Sequence, residues 1–221
     1  MSSDPLGGHA VIVGSAPVVP GMLATLCASA GSLICADGGA DAAILAGLRP
    51  DLVIGDFDSI APATLERLRK MAVRFEEHPP AKDRTDLELA LEHALRSRPS
   101  RITIAGGLGG ERFDHSLGNV LLLALPQLRG VDVRLVDAQT EVLATWDTVT
   151  IRGRQGEYVS LLPLTAQVEG IRTAGLLYPL CDERLAQGHT RGVSNELTAA
   201  EATISVREGC LLIAHQLGLL R

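Results

Sequence analysis

Four clusters of polar residues and glycines in the first half of the chain each follow directly on a short apolar run. Because the carboxyl ends of parallel strands meet at one edge of an open sheet, where such sheets bind their ligands, we expect the four clusters to lie together. Their agreement in position is more informative than any one cluster. The clusters are Asp37–Gly39, Gly55–Ser59, Lys82–Asp86 and Gly106–His115.

The pair Asp56 and Asp58 has the spacing of a metal site. In an extended chain, side chains two residues apart point to the same side, so both carboxylates could share a hard divalent cation, for which Mg²⁺ fits best. The alternative is that these aspartates cap the helix that follows. Pro62 is a natural first helical residue, however, and it leaves Ala61 at the cap. We therefore favour the metal site.

The cluster Lys82–Asp86 has two interpretations. Asp83 and Asp86 flank Thr85 at the start of a helix, where the helix dipole stabilises acidic residues by roughly 0.3 to 1 kcal/mol. Taken alone, such a cluster is structural more often than functional. Lys82 and Arg84, two cations before a helix N-terminus, also make a phosphate site plausible. The sequence leaves both interpretations open.

The glycine-rich segment 106–115, GGLGGERFDH, fits an anion-binding loop but no standard fingerprint. No Gly-Lys-Ser/Thr follows it, and Arg112 takes the place of the third glycine of G-x-G-x-x-G. Glycines let backbone N–H groups approach an anion, and Arg112 can fork onto phosphate oxygens. A flexible turn into a helix near Asp114 is the alternative, and His115 could simply bond to its helical neighbours. The glycines are Gly106, Gly107, Gly109 and Gly110.

Two segments of the second half, GLLYPL (175–180) and GVSNE (192–196), differ from the strand-like sequence around them. Tyr178 could stack on a flat ring, and Ser194 with Asn195 could bond to donors and acceptors on its edge. Considered in isolation, a core tyrosine and a turn explain these residues better.

The composition excludes several classes of protein. The 221 residues carry 20 Lys+Arg against 26 Asp+Glu, a net charge of −6, with no run of like charges. A nucleic-acid partner is not expected, because a phosphate backbone requires a basic stripe. The most apolar run, 117–128, stops at Pro126 and falls short of the roughly 20 residues that a membrane-spanning helix needs, so it predicts a buried helix.

The N-terminal sequence and the cysteines lead us to expect a cytoplasmic protein. The first residues, MSSDPLGGHAVIVG, lack the basic and apolar regions of a signal peptide, so we expect a cytoplasmic location. The cysteines have no CxxC spacing, which favours reduced core thiols over disulfides or a zinc site. They are Cys27, Cys35, Cys181 and Cys210.

The elements that must position these residues follow two different rhythms. Residues 9–137 alternate β-branched runs with amphipathic ones, which predicts parallel strands joined by helices in three layers. The clearest helix starts at a T-x-x-E capping box, Thr85 to Glu88, and ends before Pro99. After about residue 140, short runs separated by turns predict an all-β sandwich. We predict an α/β domain over 1–138 and a β-sandwich domain over 139–221.

Together these motifs resemble the thiamine pyrophosphokinase family over nearly the whole chain. The pair GDFDS with GGLGGERFDH is specific, although pterin-directed diphosphokinases share part of the acidic set. The motifs stand in the family's order, at compatible spacing, as ADGGA (36–40), GDFDS (55–59), KDRTD (82–86), GGLGGERFDH (106–115), GLLYPL (175–180) and GVSNE (192–196).

The resemblance implies transfer of an intact diphosphate from ATP to the thiamine hydroxyl, in a Mg²⁺-dependent homodimer whose thiamine site lies between subunits. Asp56 and Asp58 would hold the metal, with Asp83 or Asp86 contributing, and this acidic set would be catalytic. The expected ATP and phosphate contacts are Asp37, Gly38, Lys82, Gly106, Gly107, Gly109, Gly110, Arg112, Asp114 and His115. The expected thiamine contacts are Tyr178, Ser194 and Asn195.

The sequence departs from the family at two positions and leaves two alternatives. Tyr178 stands where some members carry tryptophan, and Thr140 where asparagine is expected, which puts a ligand contact from that turn in doubt. One alternative is a diphosphokinase acting on a pterin alcohol, against which the residues of the second half argue. The other is a non-catalytic nucleotide- or thiamine-binding module, against which the complete acidic clusters argue.

Overall fold

The computed structural model describes residues 8–218. The expectation that the N-terminal sequence is not a signal peptide rests partly on residues 1–7, which lie outside the described residues. Among the described residues, no helix has the length and apolar character needed to cross a bilayer. Contacts divide the chain into two units. The first contains the residues up to Leu122 together with Gly130–Ala138, and the second contains Leu123–Arg129 and the residues from Gln139 onward.

The first unit is built on a parallel sheet of six strands in the order β6-β5-β1-β2-β3-β4. The parallel strands predicted for residues 9–137 are present. The inner strands are buried on both faces, which explains why they are uninterrupted apolar runs. The strands are β1 (His9–Val13), β2 (Ser32–Ala36), β3 (Leu52–Gly55), β4 (Arg74–Glu77), β5 (Arg101–Ala105) and β6 (Asp132–Val136).

Helices connect these strands and cover the sheet. Leu23, Ala43 and Leu68, from the first three helices, share one apolar cluster with residues of β1, β2 and β3. The fourth helix contacts the same three strands and starts where the capping box predicts, with Thr85 Oγ1 accepting from the N–H of Glu88 at 3.2 Å. The helices are α1 (Pro20–Cys27), α2 (Gly39–Leu45), α3 (Pro62–Lys70), α4 (Asp86–Leu95) and α5 (Phe113–Leu122).

The prediction of a buried helix over residues 117–128 is wrong. Helix α5 ends at Leu122 and has no buried residue, while Leu117 and Leu121 are exposed. A short 3-10 helix, Pro126–Leu128, follows it. The run is apolar, but apolar composition alone does not specify which side of a helix faces the protein. In α5 the inward side carries the polar Ser116 and Asn119, which bond to the preceding loop.

The second unit contains two antiparallel sheets, in the orders β7-β14-β9-β12 and β8-β13-β10-β11. Buried residues of both sheets form one core, as in a sandwich. Strand β11 is polar and lacks the apolar runs from which strands are predicted, and segment 175–180 is a loop. The strands are β7 (Thr140–Thr145), β8 (Thr148–Arg152), β9 (Tyr158–Pro163), β10 (Gln167–Ala174), β11 (Cys181–Ala186), β12 (Asn195–Glu196), β13 (Glu201–Ser205) and β14 (Leu211–Gln216).

Candidate active site

A cavity of about 440 Å³ opens at the carboxyl ends of the strands of the first unit. This volume lies within the range of small-molecule sites. Residues that follow β2, β3 and β5 line it, together with Asp86 at the start of α4. The predicted residues in the lining are Asp37, Asp56, Asp58, Asp86, Gly106, Gly107, Gly109, Gly110, Arg112 and His115.

The carboxylates of Asp37, Asp56 and Asp58 form an acidic triad. One oxygen from each lies within 4.8 Å of the others, a spacing suited to oxygens that surround one Mg²⁺ at about 2.0 to 2.1 Å. Asp37 is 5% exposed, and its Oδ1 is buried without a hydrogen-bond partner among the described residues. A buried, unpaired carboxylate oxygen is costly, and a cation would satisfy it. The residues therefore fit a divalent metal.

Asp56 and Asp58 approach each other through a turn and not through extended chain. Phe57, between them, has a φ of 65°, in the left-handed region that few non-glycine residues adopt. Its ring packs edge-on against Phe75 of β4, with centroids 5.3 Å apart. Helix α3 begins at Pro62 with Ala61 at its cap, so neither aspartate caps it. The predicted proximity is present, but the extended geometry behind the prediction is wrong.

Gly55 is required by close packing around the triad. A Cβ at this position would lie 3.0 Å from Cβ of Asp37 and 3.2 Å from Cγ of Asp86, and its φ of 151° lies outside the usual range of other residues. Strand β3 can therefore end between these two acidic side chains only because it ends in glycine.

Lys82 neutralises part of the acidic edge. Its Nζ lies 2.9 Å from Oδ1 of Asp86 and 3.3 Å from Oδ2 of Asp56. Burial alone would lower the pKa of Lys82, but these two carboxylates outweigh it and the net shift is upward. For Asp56, burial would raise the pKa, whereas bonds from the Asp58 backbone and Lys82 bring it below its usual value. Both groups are thus held in their charged forms.

Asp37 has the opposite electrostatic environment. Burial raises its pKa, and the nearby carboxylates of Asp86, Asp56 and Asp58 raise it further, against a hydrogen bond from Ser59 that lowers it. Its charged form is therefore disfavoured until a cation arrives. We assigned Asp37 to the phosphate contacts, whereas the geometry groups it with the metal-ligand candidates.

The glycine loop is held by helix α5. Ser116 Oγ donates to the carbonyl of Gly109 at 2.8 Å, and Asn119 Nδ2 donates to the carbonyl of Gly107 at 2.9 Å. Gly106 has a φ of 68°, and a Cβ there would lie 2.4 Å from the carbonyl oxygen of Gly14. The loop is therefore anchored at several points and is not a free connector.

Sequence reasoning missed two groups that line the cavity. Ser116 and Asn119 lie three residues apart on α5, a spacing that places both on one helix face. Segment Gly14–Ala16 follows β1, at the same sheet edge as the predicted clusters. Its position after a predicted strand was the signal that could have identified it.

Arg112 lies at the rim of the cavity in a two-pronged ion pair with Asp114. Its Nε and Nη2 donate to the two carboxylate oxygens at 2.9 and 2.6 Å. These bonds lower the pKa of Asp114 to about 2. The pair is exposed, so the guanidinium is accessible to an anion. Asp114 itself is outside the cavity lining, so its contact with a ligand stays a prediction.

Three further predicted residues lie outside that lining, namely Gly38, Lys82 and Asp83. Asp83 is exposed, and the cavity is lined by Asp86 and not by Asp83 among the described residues. Gly38 caps helix α2 and is close to Ser15, whose Oγ would lie 3.1 Å from an added Cβ. A contact of Gly38, Lys82 or Asp83 with a ligand stays a prediction.

The second unit brings Tyr178, Ser194 and Asn195 into one neighbourhood. Asn195 bonds to the backbone N–H and C=O of Tyr178 at 3.0 and 2.8 Å. Tyr178 is 62% exposed, so the alternative of a core tyrosine is wrong. Ser194 is exposed with a φ of 62°. Thr140, which stands where the family pattern has asparagine, is the first residue of β7 and lies opposite Gln216 of β14.

Comparison with known proteins decides the family. The model of "Thiamin pyrophosphokinase, catalytic domain" matches residues 23–135, and "Thiamin pyrophosphokinase, vitamin B1 binding domain" matches residues 148–211. The chain belongs to the thiamine pyrophosphokinase family. A thiamine pyrophosphokinase of Bacillus subtilis is 34% identical over 170 residues, which cover 76% of this chain and 79% of that protein.

Solved structures of the thiamine pyrophosphokinase family share the fold. The crystal structure of the Bacillus subtilis protein aligns with a TM-score of 0.84 and 30% identity, covering 96% of this chain and all of the other. The Geobacillus thermodenitrificans protein aligns with a TM-score of 0.80 and 28% identity, covering 94% and 97%. The resemblance inferred from the motifs is thereby confirmed.

Proposed function

We propose that this enzyme transfers an intact diphosphate from ATP to the hydroxyl of thiamine, giving thiamine diphosphate and AMP. The observation that carries the proposal is the acidic triad beside the anchored glycine loop, within the segment matched by the catalytic-domain model. The match of the second unit to the vitamin B1 binding model supports thiamine as the acceptor.

The reaction needs positioning and charge neutralisation more than covalent help from the protein. The thiamine hydroxyl oxygen forms a bond to the β-phosphorus of ATP, and the bond from that phosphorus to the oxygen shared with the α-phosphate breaks. The β- and γ-phosphates move together, AMP leaves, and the hydroxyl proton is released. No nucleophilic side chain is required.

Asp37, Asp56 and Asp58 would hold Mg²⁺, which when bound supplies positive charge to the phosphate oxygens. The unpaired oxygen of Asp37 and the all-carboxylate donor set support this assignment. Asp86, bound to Lys82, holds that ammonium beside the triad. Asp83 is retained only as an untested contributor.

The phosphates of ATP would bind to the glycine loop and its cations. Backbone N–H groups of residues 106–110 can approach an anion because four of these five positions are glycine. Lys82 supplies the compact charge of an ammonium group, and Arg112 supplies a guanidinium that can donate two parallel hydrogen bonds to a phosphate. His115 lines the same cavity and could bond to the nucleotide.

Tyr178 would supply the flat face on which the thiamine pyrimidine stacks, and its exposure supports this role. Ser194, exposed beside it, is the candidate for a polar contact with the ring edge. Both residues lie in the segment matched by the vitamin B1 binding model.

We also propose a homodimer with the thiamine site between subunits. Each unit exposes apolar side chains that a second copy could cover. Helix α5 exposes a stripe at i, i+4 and i+8, namely Phe113, Leu117 and Leu121. The second unit exposes Leu177, Tyr178 and Val193.

A release assay tests the function. The purified protein should form AMP and thiamine diphosphate in equal amounts from ATP and thiamine, and only with a divalent cation present. A pterin alcohol should not replace thiamine. Release of ADP instead of AMP, or nucleotide binding without turnover, would contradict the proposal.

A further inference from the structure

Asn195 belongs structurally to the loop that carries Tyr178. This loop, residues 175–180, leaves β10 and is held beside the segment 193–197 by an isolated bridge between Leu176 and Leu197. The N–H of Leu177 also donates to the carbonyl of Glu196 at 2.9 Å. The exposed face of Tyr178 is therefore presented by a loop whose conformation depends on that neighbouring segment.

The side-chain amide of Asn195 is largely occupied by backbone groups. Its Oδ1 accepts from the N–H of Tyr178 at 3.0 Å and from that of Glu196 at 2.9 Å. Its Nδ2 donates to the carbonyl of Tyr178 at 2.8 Å. An asparagine amide has two acceptor positions and two donor hydrogens, so both acceptor positions and one donor are used. Asn195 is also only 7% exposed.

These contacts oppose the expectation that Asn195 bonds to the edge of the ring. With both acceptor positions of Oδ1 filled, it cannot accept from an amino group of a ligand without releasing the backbone N–H of Tyr178 or Glu196. Breaking that bond costs free energy, and a new bond to the ligand would at best offset this cost without a net gain. By contrast, one side chain that holds both backbone groups of Tyr178 fixes the position of its ring.

We propose that Asn195 is a positioning residue that acts on thiamine only through Tyr178. The inference rests on the proposed function for its substrate, and it changes the source of ring selectivity. Asn195 sets where the aromatic face lies, while discrimination between ring substituents belongs to other groups. Loss of Asn195 then weakens all ligands that stack on Tyr178 to the same degree.

The kinetic test uses Asn195→Ala and Asn195→Asp. The aspartate variant keeps the acceptor oxygen but places a second oxygen against the carbonyl of Tyr178. Both variants should raise KM for thiamine by about tenfold to a hundredfold, with KM for ATP unchanged. Gln187→Ala removes an exposed amide from a turn of the same unit and should leave both constants unchanged.

A ring analogue separates the two roles of Asn195. Thiamine and its analogue with a 4′-oxo group in place of the 4′-amino group differ at the ring edge but present the same face. If Asn195 positions Tyr178, the ratio of their kcat/KM values is the same, within about twofold, in the wild type and in Asn195→Ala. A change of tenfold or more in that ratio would overturn the proposal.

Hydrogen exchange tests the clamp without turnover. The Tyr178 amide should exchange at least about tenfold faster in Asn195→Ala, while the amides of β9 and β14 keep their protection. An unchanged rate at Tyr178 would overturn the proposal even in an active enzyme. A wild type that makes no thiamine diphosphate would instead overturn the proposed function and leave the exchange result valid.

Discussion

At the scale of single residues, the site depends on charges that the fold alone does not stabilise. Asp37 is buried next to two further carboxylates of the triad, and its pKa is raised by burial and by those neighbours. Lys82 offsets part of this repulsion through Asp56 and Asp86. The remaining repulsion between carboxylates lowers the stability of the metal-free fold. The same negative charge favours the binding of a cation.

Asp58→Asn should nearly abolish turnover and leave the fold intact, because it removes an anionic ligand from an exposed turn. Asp56→Asn should have the same effect on turnover. AMP release at limiting Mg²⁺, together with circular dichroism, measures both properties. Glu66→Gln, at an exposed ion pair on α3, is the control and should keep full activity. Near-normal activity of either aspartate variant would show that the metal assignment is wrong.

Gly55→Ala should impair the site although it adds only one methyl group. The new Cβ would press on Asp37 and Asp86 at 3.0 and 3.2 Å, and we expect a loss of about 1 to 3 kcal/mol in stability with a large fall in activity. Gly118→Ala on α5, where an added Cβ meets nothing within 4 Å, should stabilise the protein slightly. Thermal unfolding and AMP release compare them. Equal effects of the two substitutions would refute this reasoning.

At the scale of helices and strands, the positions of the elements followed from the sequence, whereas the turns between them did not. An apolar run such as ITIA (102–105) specifies a buried strand locally. The turn at Phe57 depends instead on a ring contact with Phe75, eighteen positions away. The outward-facing apolar stripe of α5 likewise depends on what Ser116 and Asn119 bind, which no periodicity reveals.

A buried pair joins Glu157, the residue before β9, to His215 of β14 and should make stability depend on pH. His215 Nε2 lies 2.9 Å from Glu157 Oε2, and its Nδ1 lies 4.0 Å from Glu141. Burial would raise the pKa of Glu157, but backbone N–H groups of Arg154 and Gly218 and the His215 ring lower it below the usual 4.5. The charged carboxylate is thus the form that the fold favours.

Glu157→Gln should therefore cost about 1 to 3 kcal/mol at neutral pH. Because the folded pKa is lower than the unfolded one, the benefit of the carboxylate is complete above pH 4.5 and is lost as pH falls through the folded value. The difference in urea-unfolding free energy between wild type and variant should shrink below that pH. A difference that stays constant or grows on acidification would contradict the stated shift.

At the scale of the whole molecule, the chain carries the candidate catalytic groups and the candidate thiamine groups in different units. The cavity is lined by residues of the first unit, and Tyr178 belongs to the second. The sequence indicated both units and both sets of residues through the family motifs. It did not indicate which apolar side chains are exposed, because solvent exposure depends on how the helices and strands pack in the folded chain.

Complementation tests the proposed dimer. Asp56→Asn and Tyr178→Ala subunits, each weakly active alone, should regain activity when mixed under conditions that allow exchange. If a site takes its first unit from one subunit and its second from the other, half of the dimers are mixed and each has one intact site, about a quarter of the wild-type sites. Activity that stays at the sum of the two variants, or a monomer in sedimentation, would refute the arrangement.

The assignment of Leu123–Arg129 to the second unit affects how the protein can be made and divided. During synthesis, strand β6 of the first unit emerges from the ribosome after this segment, so the first sheet gains its last strand only once a piece of the other unit is already present. A gene cut after residue 138 would encode the segment without Trp146, over whose ring the Arg129 guanidinium lies at 4.1 Å. The same segment carries Leu128, which is buried in the whole chain. The two halves of this gene are therefore poor candidates for separate expression or for exchange between relatives at that junction.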